Sequence, residues 1–260
     1  MRFLVVLTLV MGLAACGHQD SPNTILVGTI AGPETDLVTV AAEVAQKKYG
    51  LIVKTVEFND YNLPNSALED GSLDANIYQH LPYLQAAMKS HKYKLEVVGK
   101  TFIYPTGIYS NKVKSLAALP EGATIALPND PSNEARALLL LKKAGLITLK
   151  DQSNQTIQDI QTNPHKFHFK ELDAAQLPRV LEDVDAAVIN TTFAIPAGLM
   201  PSRDALYTEN KDSPYANLVV IRRDSHKRAQ VLQLVKALHS DAVLQKAKAL
   251  FGEGGAEPAW

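Results

Sequence analysis

The chain has 260 residues, with 26 Lys and Arg against 27 Asp and Glu and a formal charge of −1. That length holds one large or two small globular units. The near-balance of charge excludes the one-sided basic face of a nucleic-acid binder and any long like-charged tail.

The first residues set the compartment. Met1-Arg2 is followed by the apolar run Phe3 to Met11 and then by Gly12-Leu13-Ala14-Ala15-Cys16. A short positive start, an apolar core and small residues at a cut point make residues 1–15 a secretory signal peptide. The run is too short for a bilayer span of about 20 residues. Leu13-Ala14-Ala15-Cys16 resembles a bacterial lipobox, which implies cleavage before Cys16 and lipidation of its thiol. Cys16 is the only cysteine, and acylation removes a thiol that could mispair in an oxidising compartment. Acyl chains anchor a protein without spanning the bilayer. Residues 16–23 are polar and read as a lipidated tether.

Ile25 to Ile30 reads as a buried strand. Thr35 or Asp36 caps the next helix, whose apolar face is Leu37, Val40, Ala41, Val44 and Ala45. Gly50 follows it as a stop. Leu51 to Phe58 is a second strand, and the order strand–helix–strand makes a parallel βαβ unit. Asn59 to Asn65 is a loop. Ser66 and Glu69 form a capping box for a short helix that Gly71 ends. Leu73 to Tyr78 is a strand, and Gln79 to Leu84 opens a helix with Pro82 near its first turn.

Leu95 to Tyr104 is extended. Pro105 and Gly107 mark a crossover before a second extended run, Ile108 to Ser110. Thr124 to Leu127 is a strand that runs into Pro128-Asn129-Asp130-Pro131-Ser132-Asn133-Glu134-Ala135-Arg136. Asp130 or Ser132 serves as N-cap there, and Pro131 suits the first helical turn. Asn133 and Arg136 share one face of that turn. A guanidinium beside the positive end of a helix calls for an anion, and a carboxylate fits it with two parallel hydrogen bonds.

Gln152 to Pro164 is polar and weakly patterned. Phe167 to Leu172 is a strand, Asp173 to Asp183 a helix, and Ala186 to Asn190 a strand that ends on an amide. Thr191 to Gly198 is a short helix, Leu206 to Ala216 a loop and Asn217 to Ile221 a strand. Ser225 and Ser240 cap two final helices, and Gly252 to Trp260 reads as a loose tail. Strand and helix alternate throughout, so the fold class is α/β. Polar and aromatic residues gather after strands, where ligands bind in open α/β sheets.

No nucleophile elbow, zinc-protease motif or phosphate loop is present, and no cysteine remains for catalysis, so no enzyme activity is expected. His165 and His168 lack the companions of a metal site, so no metal and no cofactor is expected.

Several stretches together carry a resemblance. They are the lipobox, Val27-Gly28-Thr29, Asp74 to Leu84, Ile108-Tyr109-Ser110, Pro128 to Arg136, Ile189-Asn190 and Ser213 to Asn217. With these the chain strongly resembles the methionine-binding lipoprotein (MetQ/NlpA) family from Cys16 to about Phe251. The resemblance implies a type II periplasmic-binding-protein fold, with two α/β lobes joined by two crossovers. Lobe 1 would be 24–105 with 206–260, and lobe 2 would be 106–205. It implies L-methionine as ligand, with D-methionine beside it, and the permease and ATPase complex of a methionine ABC importer as partner. The lipid on Cys16 would hold the chain to a bacterial membrane facing the periplasm. Gly17 leaves inner or outer membrane open.

By the same resemblance Arg136 holds the ligand's carboxylate, and Asn190 and Asn217 hold its polar end. Tyr61, Tyr78 and Tyr83, with His80 beside them, hold the side chain. Asn133 sits on the face of Arg136. The alternatives are the same fold with a Met-containing dipeptide or another small amino acid, and a structural or adhesive surface lipoprotein.

Overall fold

Two curled sheets, each with helices on both faces, carry the chain. The computed structural model describes residues 23–152, 154–210 and 213–260. The expected signal peptide, Cys16 and most of the tether lie outside the described residues.

The first half runs β1 (Thr24–Ile30), α1 (Pro33–Tyr49), β2 (Ile52–Phe58), α2 (Pro64–Glu69), β3 (Ala75–His80), α3 (Leu81–His91) and β4 (Leu95–Ile103). The chain then crosses to β5 (Gly107–Tyr109), β6 (Thr124–Pro128), α4 (Pro131–Lys143), β7 (Thr148–Leu149), β8 (Ile160–Thr162), β9 (His168–Leu172) and β10 (Ala186–Ile189). It continues through α5 (Thr191–Ala194), α6 (Pro201–Asp204) and β11 (Tyr207–Thr208). It returns as β12 (Ala216–Arg222), α7 (Arg228–Leu238), α8 (Asp241–Phe251) and β13 (Glu257–Pro258). The first sheet has the order β13-β4-β12-β3-β1-β2 and the second β11-β5-β10-β6-β9.

β1 pairs in parallel with β2 and β3, as the βαβ reading requires. β12 inserts antiparallel between β3 and β4, with Asn217 opposite His80. That register brings the start of β12 beside the end of β3. β6 pairs in parallel with β9 and β10, so the ends of β6 and β10 face the same cleft.

The cores lie between sheets and helices. In the first lobe Ile25, Val27, Ile77, Val219 and Ile221 pack under α1, α7 and α8. In the second, Ile125, Leu127 and Val188 pack under Leu138 and Leu141 of α4. Burying one such aliphatic side chain contributes about 1.5–3 kcal/mol. Gly50 ends α1 at φ 64°, a left-handed turn that a side chain would strain.

Local details differ from the sequence reading. α1 begins at Pro33, behind Gly32, and the Thr35 hydroxyl bonds the Ile30 carbonyl and Thr29 in place of capping. A proline's preset φ favours the first helical position. α2 likewise starts at Pro64. Ser66 donates to the Leu63 carbonyl and Glu69 accepts from the Lys94 N–H, so there is no capping box. The helix expected over Asp173–Asp183 is one 3-10 turn, Ala174–Gln176, followed by turns. Pro178 has no N–H to continue it. Ser225 accepts from the Lys227 N–H before α7 begins at Arg228, and Ser240 stands at the N-cap of α8 without a side-chain cap bond.

The segment from Leu206 to Ala216 includes β11, which pairs with β5. The C-terminal segment is no loose tail. β13 pairs with β4, Trp260 stacks on His239 at 4.2 Å, and its edge meets Phe102 at 5.1 Å.

Candidate functional site

The site lies where strand ends of both lobes meet the two crossovers. Tyr61 comes from the loop after β2. Tyr78 and His80 end β3, whose six residues are all buried. Tyr83 is in the first turn of α3, and Asn133 and Arg136 are on α4. Asn190 follows β10 and Asn217 starts β12. All eight residues singled out in the sequence line one cavity, together with Gln79, Tyr104, Thr191 and Thr192.

Two hydrogen-bonded chains fix the amides. In the second lobe Asp130 caps α4 by accepting from the Asn133 N–H at 3.0 Å, and its carboxylate also takes Asn133 Nδ2 at 2.9 Å. Asn133 Oδ1 then accepts from Asn190 Nδ2 at 2.9 Å. His80 Nδ1 accepts from the Tyr83 N–H at 3.3 Å, so its proton sits on Nε2, 3.3 Å from Asn133 Oδ1. Burial, and then the charge of Arg136, lower the His80 pKa to about 3, so the ring is neutral. The result is an Asn190 Oδ1 that is buried without a partner. A buried lone acceptor costs free energy unless a ligand or water donates to it.

In the first lobe the carboxylate is Glu34, in the first turn of α1. It is 3% exposed. Its Oε2 accepts from Asn217 Nδ2 at 2.9 Å, and its Oε1 accepts from the Thr192 hydroxyl of the other lobe. Burial raises its pKa to about 7, although both hydrogen bonds pull the other way. Each amide thus spends an N–H on the protein. Their oxygens suit the N–H groups of an ammonium.

The anion that the start of α4 calls for is supplied by the chain itself. Arg136 Nε donates to Glu209 Oε1 at 2.8 Å, and its Nη2 donates to Glu209 Oε2 and to the Tyr104 carbonyl, the latter at 2.9 Å. Its carbon Cζ lies 4.4 Å from the Tyr215 ring centroid. Nη1 makes no hydrogen bond among the described residues. Glu209 is in turn held by the Thr106 N–H at 3.1 Å, and its own N–H donates to the Thr106 carbonyl. Arg136 is therefore tied to both crossovers.

The other end of the cavity is aromatic. Tyr61, Tyr78 and Tyr83 pack edge to face or tilted, and Phe193 of the second lobe closes on Tyr61 at 4.8 Å. Tyr83 anchors the group through its hydroxyl, which donates to the Tyr61 carbonyl at 2.8 Å. Tyr78 leaves its hydroxyl without a partner.

The sequence reading missed Glu34, Glu209, Thr192, Tyr104 and Phe193. Thr192 and Phe193 follow a strand end already marked by Asn190, and that position was their signal. Glu209 lies in a segment read only as a loop and Glu34 just before the expected cap at Thr35 or Asp36, with nothing local to distinguish them. His165 and His168 take no part: His165 stacks on Phe167 and His168 opens β9. Among the described residues no helix is long and apolar enough to cross a membrane.

The chain matches the family described as NlpA lipoprotein over residues 25–260. It is 49% identical to the D-methionine-binding lipoprotein MetQ of Salmonella typhi over 255 residues, 96% of this chain and 94% of that protein. A solved ABC transporter periplasmic substrate-binding protein from Coxiella burnetii is 59% identical, with a TM-score of 0.88 over 90% of this chain and 100% of that one. A nutrient binding protein from Burkholderia cenocepacia, solved bound to methionine, is 50% identical. Its TM-score is 0.87 over 91% of this chain and 100% of that one.

Proposed function

We propose that this chain, which belongs to the NlpA lipoprotein family, captures methionine between its lobes and delivers it to an ABC importer. Its relatives are transporter binding proteins, and we read this chain as a binder without turnover. A lipid on Cys16 would hold it to the envelope, and the permease and ATPase of a methionine importer would receive the ligand. The lobes that close are taken as 24–105 with 206–260 and as 106–205, with Tyr207–Thr208 lending an edge strand to the second.

One observation carries the reading: a cavity between the lobes with fixed amide oxygens and a guanidinium at one end and three tyrosines at the other. An ammonium donates to the oxygens of Asn190 and Asn217. The carboxylate shares Arg136 with Glu209 by way of Nη1. A thioether makes only weak hydrogen bonds, so the tyrosines recognise it by apolar burial, about 1.5–3 kcal/mol, and by sulfur–aromatic contacts of about 0.3–1.5 kcal/mol each. Thr191 and Thr192 complete the lining.

The test is thermal unfolding of the full-length chain in detergent, stripped of ligand by unfolding and refolding. It is titrated with the twenty L-amino acids, D-methionine and L-methioninamide. At about 100 times the dissociation constant, L-methionine should add roughly 2.7 kcal/mol, a shift of a few degrees. L-Methioninamide, which has no carboxylate, should give much less. A response to no amino acid would sink the methionine reading in favour of a dipeptide or a structural role.

A further inference from the structure

The tyrosine end of the cavity offers more than a greasy slot. Each of the three ring centroids of Tyr61, Tyr78 and Tyr83 lies 5.9 Å from the other two, and Phe193 adds a fourth ring against Tyr61. Such a cup lines that end of the cavity with aromatic rings, and an aromatic face attracts a cation.

The surrounding charge has the matching sign. Burial above all, and then the carboxylates of Asp130, Asp173 and Asp60, hold the Tyr83 phenol well above its usual range. Burial and then Glu34 do the same for Tyr61, with Asp130 adding to it and Arg136 opposing. Burial disfavours a charge of either sign, but the carboxylates that disfavour a phenolate favour a cation in the same place. Among the described residues Arg136 is the cation that acts on Tyr61, and Glu209 already pairs with it at close range. His80 is neutral. Asp173 is held at the cleft rim by Asn62, 3.1 Å away across the lobes. With Arg136 paired to Glu209, the carboxylates of Asp130, Asp173 and Asp60 are left unbalanced by any cation described at this end, whereas a methionine zwitterion brings no net charge to balance them.

We propose that the cavity also takes amino acids whose side chain ends in a methylated onium group, with the sulfonium S-methyl-L-methionine as the type ligand. The proposal rests on reading the cavity as an amino-acid site. A sulfonium spreads its charge over alkyl groups and has no N–H to satisfy. It can therefore shed water into an aromatic cup that offers few acceptors. A lysine ammonium has three N–H groups, while the unpartnered oxygen at this end is that of Tyr78. The cup therefore selects onium over primary ammonium.

The experiment is isothermal titration of the ligand-stripped full-length chain in detergent with S-methyl-L-methionine, L-methionine, L-norleucine and L-lysine. S-Methyl-L-methionine should bind within roughly tenfold of L-methionine and more tightly than neutral L-norleucine, and L-lysine should give no heat. Tyr83→Leu and Tyr61→Leu, checked for folding by circular dichroism, should weaken the sulfonium roughly tenfold more than norleucine. No sulfonium binding at a concentration that saturates the protein with methionine overturns the proposal. So do variants that penalise both ligands equally. If a variant fails to fold, the wild-type comparison of the four ligands decides alone. A protein that binds the sulfonium but not methionine would overturn the methionine reading and leave this one standing.

Discussion

Arg136 has two claims on its charge, from Glu209 in the crossover and from a ligand's carboxylate. The pair is buried, with side-chain exposures of 4% and 8%. Removing one partner leaves the other uncompensated, which costs about 3–5 kcal/mol. Arg136→Ala should therefore lower stability by that order in a urea titration, and Glu209→Ala in the same background should recover part of it. Lost ligand binding in Arg136→Ala alone would not separate carboxylate recognition from a loosened crossover; comparing L-methionine with its amide on the wild type does. Asn190 gives a cleaner test. Asn190→Ala removes the free Oδ1, while Asn133 Oδ1 keeps His80 as a partner. Calorimetry should show methionine affinity falling by about 1–3 kcal/mol, with a stability loss of about 1 kcal/mol. Unchanged affinity would remove Asn190 from the ammonium site.

At the scale of elements, β3 and α4 do most of the positioning. β3 is buried on both faces because β1 and β12 flank it and helices cover the sheet. A buried amide cluster of Asn65, Asn76 and Gln79 pins it to α2, with Asn65 Nδ2 donating to Gln79 Oε1 at 2.8 Å. The C-terminal strap matters to the opposite edge of that sheet. β13 and Trp260 cover β4 and the buried Phe102, so ending the chain at Phe251 should cost about 1–3 kcal/mol in thermal unfolding. Equal stability of the shortened chain would make the strap incidental. Gly99 lets β4 approach α7: a Cβ there would lie 2.8 Å from both methyls of Val235. Gly99→Ala should destabilise by about 1–3 kcal/mol through overpacking.

At the scale of the molecule, Glu34 links the lobes through Thr192 and carries a pH dependence. Its folded pKa is raised from 4.5 to about 7, so its stability contribution is fully present below 4.5 and is lost as pH rises through 7. His80 acts in the opposite sense. Its pKa is lowered from 6.5 to about 3, so its contribution is present above 6.5 and is lost as pH falls toward 3. The two oppose each other between 4.5 and 6.5, and a wild-type profile alone mixes them. Glu34→Gln isolates the first. The variant's stability relative to wild type should rise with pH between about 5 and 7.5, by at most about 1.4 kcal/mol per pH unit. A difference that stays flat across that range would mean Glu34 is not held as this burial implies.

Alternating strand and helix patterns made the α/β class and its parallel βαβ unit legible before any coordinates, because each rests on side-chain period and caps within a few residues. The eight cavity residues were named too: Tyr61, Tyr78, His80 and Asn190 from strand ends or the turns after them, Asn133 and Arg136 from the first turn of a helix, and Tyr83 and Asn217 from the family resemblance. The expected Asp173–Asp183 helix failed where Pro178 interrupts it, and the C-terminal segment was read as a loose tail because its partner β4 is remote in sequence. Only the tertiary structure decided what completes the site. Glu209 meets Arg136 across 73 residues, and Glu34 meets Thr192 across 158. A carboxylate in a loop has no local mark of burial. Its role appears only when two crossovers and two lobes are packed against each other, since that packing removes the water and leaves a guanidinium, an amide or a hydroxyl as its partner.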